Sequence, residues 1–186
     1  GQRDFGENYA QEWREKAAAL ADLPDLAWHF IGGLQANKAK YLLPRDPARP
    51  AARWVHTVDR AALAEELSRR AAARGGAAAR VLLEVNLGAE AAKSGCAPAD
   101  LPRLAEAVRR LPGLELRGLM CIPPAGEDPR PHFARLRALR DGLDPRLPDL
   151  SMGMSGDYAA AVEEGATLVR VGTAIFGERR LSPPGA

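Results

Sequence analysis

"SMGMSGDYAAAVEEGATLVRVGTAIFG", residues 151–177, holds most of a strand–helix–strand unit and sets the reading of everything before it. Asp149–Met152 reads as a strand, Asp157–Glu164 as a helix and Leu168–Phe176 as a second strand. A helix inserted between two short apolar runs makes those strands parallel, because a tight hairpin joins only antiparallel ones. One residue is out of place. Arg170 stands among Leu168, Val169 and Val171, and the run then breaks into Gly172-Thr173. An unpaired buried charge is among the costliest things a core can hold, so Arg170 needs a fixed partner, from the protein or from a ligand.

The same alternation runs through the whole chain. Strand patterns fall at Asp4–Glu7, Trp28–Gly32, Trp54–Val58, Arg80–Leu87 and Glu115–Ile122, ahead of the two above. Helical patterns lie between them at Tyr9–Leu20, Leu34–Leu43, Arg60–Arg74, Ala99–Leu111 and Pro131–Asp141. Asp59, Pro98 and Pro131 mark helix starts, and Gly75-Gly76 and Pro112-Gly113 mark stops. Strict alternation implies an α/β fold with a parallel sheet and helices outside it, either doubly wound or a (β/α)8 barrel. No GxGxxG follows the first strand, and residues capable of chemistry sit at the ends of several strands, which suits a TIM-type barrel. Seven strands are visible where a closed barrel takes eight, so the first strand is expected upstream of Gly1 and the N-terminus is expected to be incomplete. The edges at Asp4–Glu7 and Leu168–Phe176 are then expected not to pair with each other. Residues 1–179 are expected to form one barrel domain, with 180–186 as a tail.

Composition narrows the classes. The 186 residues suffice for one sizeable core, and 46% hydrophobic with 27% charged residues is ordinary for a globular protein. A net charge of +2, from 26 basic and 24 acidic residues, leaves no electrostatic footprint for nucleic acid. No apolar run approaches the roughly 20 residues that span a bilayer, so no membrane is expected. Cys96 and Cys121 have no metal-ligand spacing and read as free thiols of a reducing cytoplasm.

Ser155-Gly156-Asp157 opens a helix. It reads either as a plain N-cap, with Ser155 or Asp157 holding an orphan amide, or as an anion site. Gly172-Thr173 offers backbone N–H groups and a hydroxyl directly after a strand, and is otherwise a strand-end kink. Two such donor sets converging from neighbouring strands would cradle a phosphate. Arg170 shares the face of Gly172, and its alternative is a salt bridge across the barrel, to Glu84. His29 lies on a strand pointing into the barrel, either as a satisfied core group or as a pocket residue. Met154, beside the phosphate loop, packs against either a ligand or the core, and Asn8 reads by itself as a turn residue.

Ser155, Arg170, Gly172 and Thr173 together resemble the end of the fold-type III pyridoxal phosphate (PLP) proteins. Over its length the chain resembles the pyridoxal phosphate homeostasis protein family, in "GQRDFGENYAQE" (1–12), "WHFIGGLQANKAK" (28–40), "HTVD" (56–59), "EVNLGAEAAKSGC" (84–96), "RGLMCIPP" (117–124) and the stretch quoted first, extended to residue 179. The resemblance implies PLP as cofactor, its phosphate held by Ser155, Gly172 and Thr173, its pyridine nitrogen faced by Arg170, and Asn8 close by. It also implies a Schiff-base lysine at the end of the first barrel strand. Lys16, Lys38, Lys40 and Lys93 do not stand at that motif, so the chain is expected to hold PLP non-covalently and to have no catalytic residue. The implied role is intracellular PLP homeostasis without catalytic turnover, with PLP-dependent enzymes as recipients. The alternative is an amino-acid racemase of the same fold, which needs a second base such as a tyrosine from another domain. Tyr9, Tyr41 and Tyr158 are the only tyrosines, and nine residues follow Gly177. A third reading is a barrel that binds only inorganic phosphate.

Overall fold

Each short run rich in Val, Leu and Ile extends because its side chains are wanted on alternate faces of one sheet. In the computed structural model, which describes residues 1–88, 94–143 and 147–178, these runs become β1 (Asp4–Glu7), β2 (Ala27–Phe30), β3 (Trp54–Val58), β4 (Ala79–Glu84), β5 (Leu114–Met120), β6 (Asp149–Met154) and β7 (Leu168–Arg170). The helices are α1 (Ala10–Ala19), α2 (Ala39–Leu42), α3 (Ala61–Arg74), α4 (Leu101–Arg109), α5 (Arg130–Leu143), α6 (Tyr158–Glu163) and α7 (Thr173–Phe176). Every strand pairs in parallel with the next one in sequence, in the order β1-β2-β3-β4-β5-β6-β7. The result is a seven-stranded, nearly closed parallel barrel with flanking helices, an incomplete (β/α)8 barrel. Among the described residues β1 and β7 do not pair with each other.

The two faces of the sheet differ in kind. Outward residues such as Trp28, Phe30, Val55, Val81, Leu83 and Leu119 pack under the helices in one apolar cluster. Helix α3 joins it through Leu63, Leu67 and Ala71, one stripe at intervals of four. Ser68, the polar residue among the buried ones of α3, is satisfied by donating to the Pro112 carbonyl at 2.7 Å. Burying each such leucine contributes about 1.5–3 kcal/mol. Inside the barrel the apolar part is small, Trp54, Leu82 and Met120 with Leu168 against them. The rest of the interior is polar, with His29, His56, Glu84 and Ser151 all buried. At the N-terminal ends of the strands, Arg117 bridges Glu115 (3.1 Å) and Asp149 (2.9 Å), and Arg80 reaches Glu115 at 3.2 Å.

Three expectations change. The run expected as a strand to Phe176 ends at Arg170, because Arg170 pairs with Met154, the last residue of β6, and the ladder has no partner beyond it. Thr173–Phe176 turns into the short helix α7 instead. The helix expected over Leu34–Leu43 is a 3-10 turn, Ala36–Lys38, followed by α2. Pro98 precedes α4, whose first turn carries Pro102. The expected tail, 180–186, lies outside the described residues.

Candidate functional site at the barrel mouth

Loops after the C-terminal strand ends gather at one face of a parallel barrel. Gly153, near the end of β6, has φ +91°, and a Cβ there would lie 2.5 Å from the Ala161 Cβ of α6. Glycine is therefore what lets β6 turn closely into α6, and this brings Ser155 against the β7–α7 turn. The Ser155 Oγ accepts the N–H groups of Gly172 and Ala174, both at 3.2 Å. Ser155, Gly172 and Thr173 are thus brought together, with Thr173 exposed at the start of α7. Ala174 enters by its backbone alone, so no side chain announces it in the sequence. Gly172 has an ordinary φ of −116°, and a Cβ on it would meet no atom within 4 Å. Its value is therefore space beside the turn and not conformational freedom. Met154 stands on the rim, 40% exposed. Asp157 accepts the Met154 N–H at 2.6 Å and makes no side-chain cap to α6, so it holds the loop and not the helix.

Arg170 finds its partners in the protein, and they are neutral. One Nη donates to the Ser151 Oγ at 2.7 Å and the other to the Cys121 carbonyl at 2.9 Å. No ion pair joins it to Glu84 among the described residues. The Glu84 Oε2 is buried without a hydrogen-bond partner. Burial first, and then the negative charge of Asp59, raise the Glu84 carboxyl from 4.5 to about 7, against the pull of Arg170.

Asn8 borders a cavity of about 460 Å³ at the mouth, together with Tyr9, Thr57, Glu84, Asn86 and Ser94. A Cβ on Gly32 would fall 2.0 Å from the Asn8 carbonyl oxygen, so this glycine permits the β1 and β2 loops to touch. Thr57 donates to the Gly32 carbonyl at 2.7 Å and fixes the loop from β3. Thr57 and Asn86 lie inside the motifs quoted above yet carry no chemical signature that would single them out. His29 does not line the cavity. It is buried deeper in the barrel, bonded to Asp4 at 3.1 Å and His56 at 2.9 Å, and stacked on Trp54 with centroids 5.4 Å apart.

No described lysine lines the cavity. Lys16 pairs with Glu7 and Glu12, and Lys38 and Lys40 lie over the Tyr41 ring at 5.6 and 5.3 Å. Lys93 lies outside the described residues.

Residues 1–180 match the family described as alanine racemase, N-terminal domain. The pyridoxal phosphate homeostasis protein of Pseudomonas aeruginosa is 54% identical over 187 residues, spanning 99% of this chain and 78% of the relative. The chain belongs to the pyridoxal phosphate homeostasis protein family. PipY of Synechococcus elongatus, solved with PLP bound, superposes with a TM-score of 0.85 at 42% identity, over 95% of this chain and 82% of PipY. An alanine racemase of Clostridium difficile, 15% identical with a TM-score of 0.73 over 96% of this chain and 46% of its own, shares the fold.

In this member of the pyridoxal phosphate homeostasis protein family the cysteines are free and buried. Burial pushes the Cys96 thiol up to about 11 and the Cys121 thiol up to about 12, so neither supplies a thiolate at neutral pH. No group of three or more metal-ligating side chains occurs among the described residues, and no described helix is long and apolar enough to cross a membrane.

Proposed function

We propose that this chain, as one domain over residues 1–179, binds PLP at the barrel mouth and serves cytoplasmic PLP homeostasis without catalytic turnover. The observation that carries the reading is the meeting of the Ser155 hydroxyl with the Gly172 and Ala174 N–H groups beside open space, next to the fixed cation of Arg170. A phosphate monoester would take these N–H groups over from the Ser155 oxygen and accept the Ser155 hydroxyl proton, and Thr173 adds a hydroxyl at the same turn. Asn8 borders the cavity described above, and Met154 precedes Ser155 with 40% of its surface exposed. PLP, when bound, supplies an aldehyde that captures amines. Arg170 can only donate, so opposite the pyridine nitrogen it keeps that nitrogen unprotonated and the ring a poor electron sink. This favours holding the cofactor over turning substrates over, and PLP-dependent enzymes are the proposed recipients.

Equilibrium dialysis of the full chain against PLP tests the reading. Saturable binding is expected, weakened in Ser155→Ala and competed by inorganic phosphate, with no racemisation of L-alanine. Borohydride reduction and peptide mapping are expected to find no stoichiometric lysine label. Turnover of L-alanine would establish the racemase, and binding of phosphate with no uptake of PLP would establish the third reading.

A further inference from the structure

The buried polar side chains of the interior form one line. Arg170 of β7 donates to the Ser151 Oγ of β6 at 2.7 Å, and Ser151 lies 2.8 Å from the His56 Nδ1 of β3. The His56 Nε2 lies 2.9 Å from the His29 Nδ1 of β2, and the His29 Nε2 lies 3.1 Å from the Asp4 Oδ1 of β1. Five residues on five strands thus join the two edges of the sheet through the barrel.

We propose that Asp4, His29, His56 and Ser151 are positioning residues, a hydrogen-bond chain with one direction that holds Arg170 in place for the PLP ring. The proposal rests on the reading of Arg170 given above. Its direction follows from the two ends, since a guanidinium only donates and an ionised carboxylate only accepts. Ser151 therefore accepts from Arg170 and gives its own proton to the His56 Nδ1. The His56 Nε2–H donates to the His29 Nδ1, and the His29 Nε2–H donates to Asp4. The opposite order would set an unprotonated His29 Nε2 lone pair against the Asp4 carboxylate. Both rings are thereby fixed as neutral Nε2–H tautomers.

The surroundings agree with neutral rings held in one orientation. His29, His56 and Ser151 are 5%, 2% and 0% exposed. Burial holds the His56 imidazole well below its ordinary 6.5, with His29 and Arg170 adding to the effect. Burial also lowers His29, over the opposing hydrogen bond that it donates to Asp4, and Arg53 and Arg80 lower it further. Trp54 lies flat on His29 and edge-on to His56, and the Arg80 guanidinium covers the Trp54 ring at 5.2 Å, so neither imidazole is free to tilt. Hydrogen bonds in series at low dielectric polarise one another, so a change at Asp4 reaches Arg170 without touching it.

Long-range proton–nitrogen correlation spectra of the ¹⁵N-labelled full chain read the tautomers directly, with no variant needed. Both histidines are expected to carry the proton on Nε2, and the Arg170 Nη groups are expected to give separate, slowly exchanging signals. In Ser151→Ala those signals should merge and the Kd for PLP should rise about tenfold, the scale of one hydrogen bond to a charged group. Asp4→Ala, at the exposed end, should leave the melting temperature nearly unchanged yet mix the tautomers of both rings, and Asp4→Glu should restore them. A proton on Nδ1 of either ring in the parent chain, or separate Arg170 signals persisting in Ser151→Ala, overturns the chain. Merged Arg170 signals with unchanged PLP affinity would leave the chain standing and overturn Arg170 as a cofactor contact.

Discussion

Strands β3 and β7 belong to the same sheet and are held by different forces. All five positions of β3 are buried, whereas β7 has none buried and exposes Val169 by 41%. The middle of the barrel is gripped by apolar packing on its outer face, while the edge is tied in by Arg170, Ser151 and Cys121. The proposed phosphate site, on the loops after β6 and β7, lies in the second kind of region.

Apolar packing at the centre and polar ties at the edge should make substitutions in the two regions differ in cost. Leu83→Ala on β4, which empties a fully buried position, is expected to cost about 2–5 kcal/mol by urea unfolding. Glu84→Gln acts on the interior in the other direction. Its carboxyl is raised from 4.5 to about 7, so the folded state binds that proton more tightly and stability falls as pH rises through this range. Holding Glu84 ionised at pH 8 costs about 3 kcal/mol, and Glu84→Gln should recover a gain of that order at pH 8 and little at pH 4. At the edge, Thr173→Val should weaken PLP binding by about 1–3 kcal/mol in dialysis while leaving unfolding unchanged. Arg170→Gln should instead keep the phosphate grip and alter the absorbance of the bound ring.

The buried histidines give a graded effect of opposite sign to Glu84. Their folded-state values are lowered, so below 6.5 the unfolded chain takes up protons that the folded chain refuses, and stability falls with pH. Each contributes up to about 1.4 kcal/mol per pH unit between 6.5 and its folded-state value. Between 4.5 and 6.5 protonation of Glu84 offsets part of this, so the acid slope should steepen in Glu84→Gln and flatten in His29→Gln. The smallest effect is at the edge. Val169→Ala should change stability by no more than about 0.5 kcal/mol, and a loss matching Leu83→Ala would show that β7 is core after all.

The sequence carried the strand–helix alternation because period and length are local properties, and the strands lie where their apolar runs do. It carried the convergence of Ser155 with Gly172-Thr173 for a related reason: parallel order sends both loops to one face. The end of the last strand was not legible, because Val171 and Ile175 have strand-like side chains and only the exit of β6 at Met154 stops the ladder. Nor was the partner of Arg170. Residue type suggested Glu84, yet Ser151 and the Cys121 carbonyl occupy the guanidinium, and a backbone oxygen leaves no mark in a sequence. His29 was open between core and pocket until His56, 27 residues away, supplied its partner.

Because each strand pairs with its successor, the ladder grows by local steps, each closing a single βα unit, and such contacts form early. The interior line obeys another clock. His56 and Ser151 are separated by 95 residues, and Arg170 and Cys121 by 49. A chain folded only as far as β5 would have its first four pairings but would lack Ser151, the partner of the His56 Nδ1. Docking of β6 and then β7 would supply Ser151 and Arg170, and in that order the cation is seated last. If the strands dock in chain order, a chain arrested before β7 would present neither Arg170 nor the Gly172 turn to a ligand, so ligand binding would report the docking of β7.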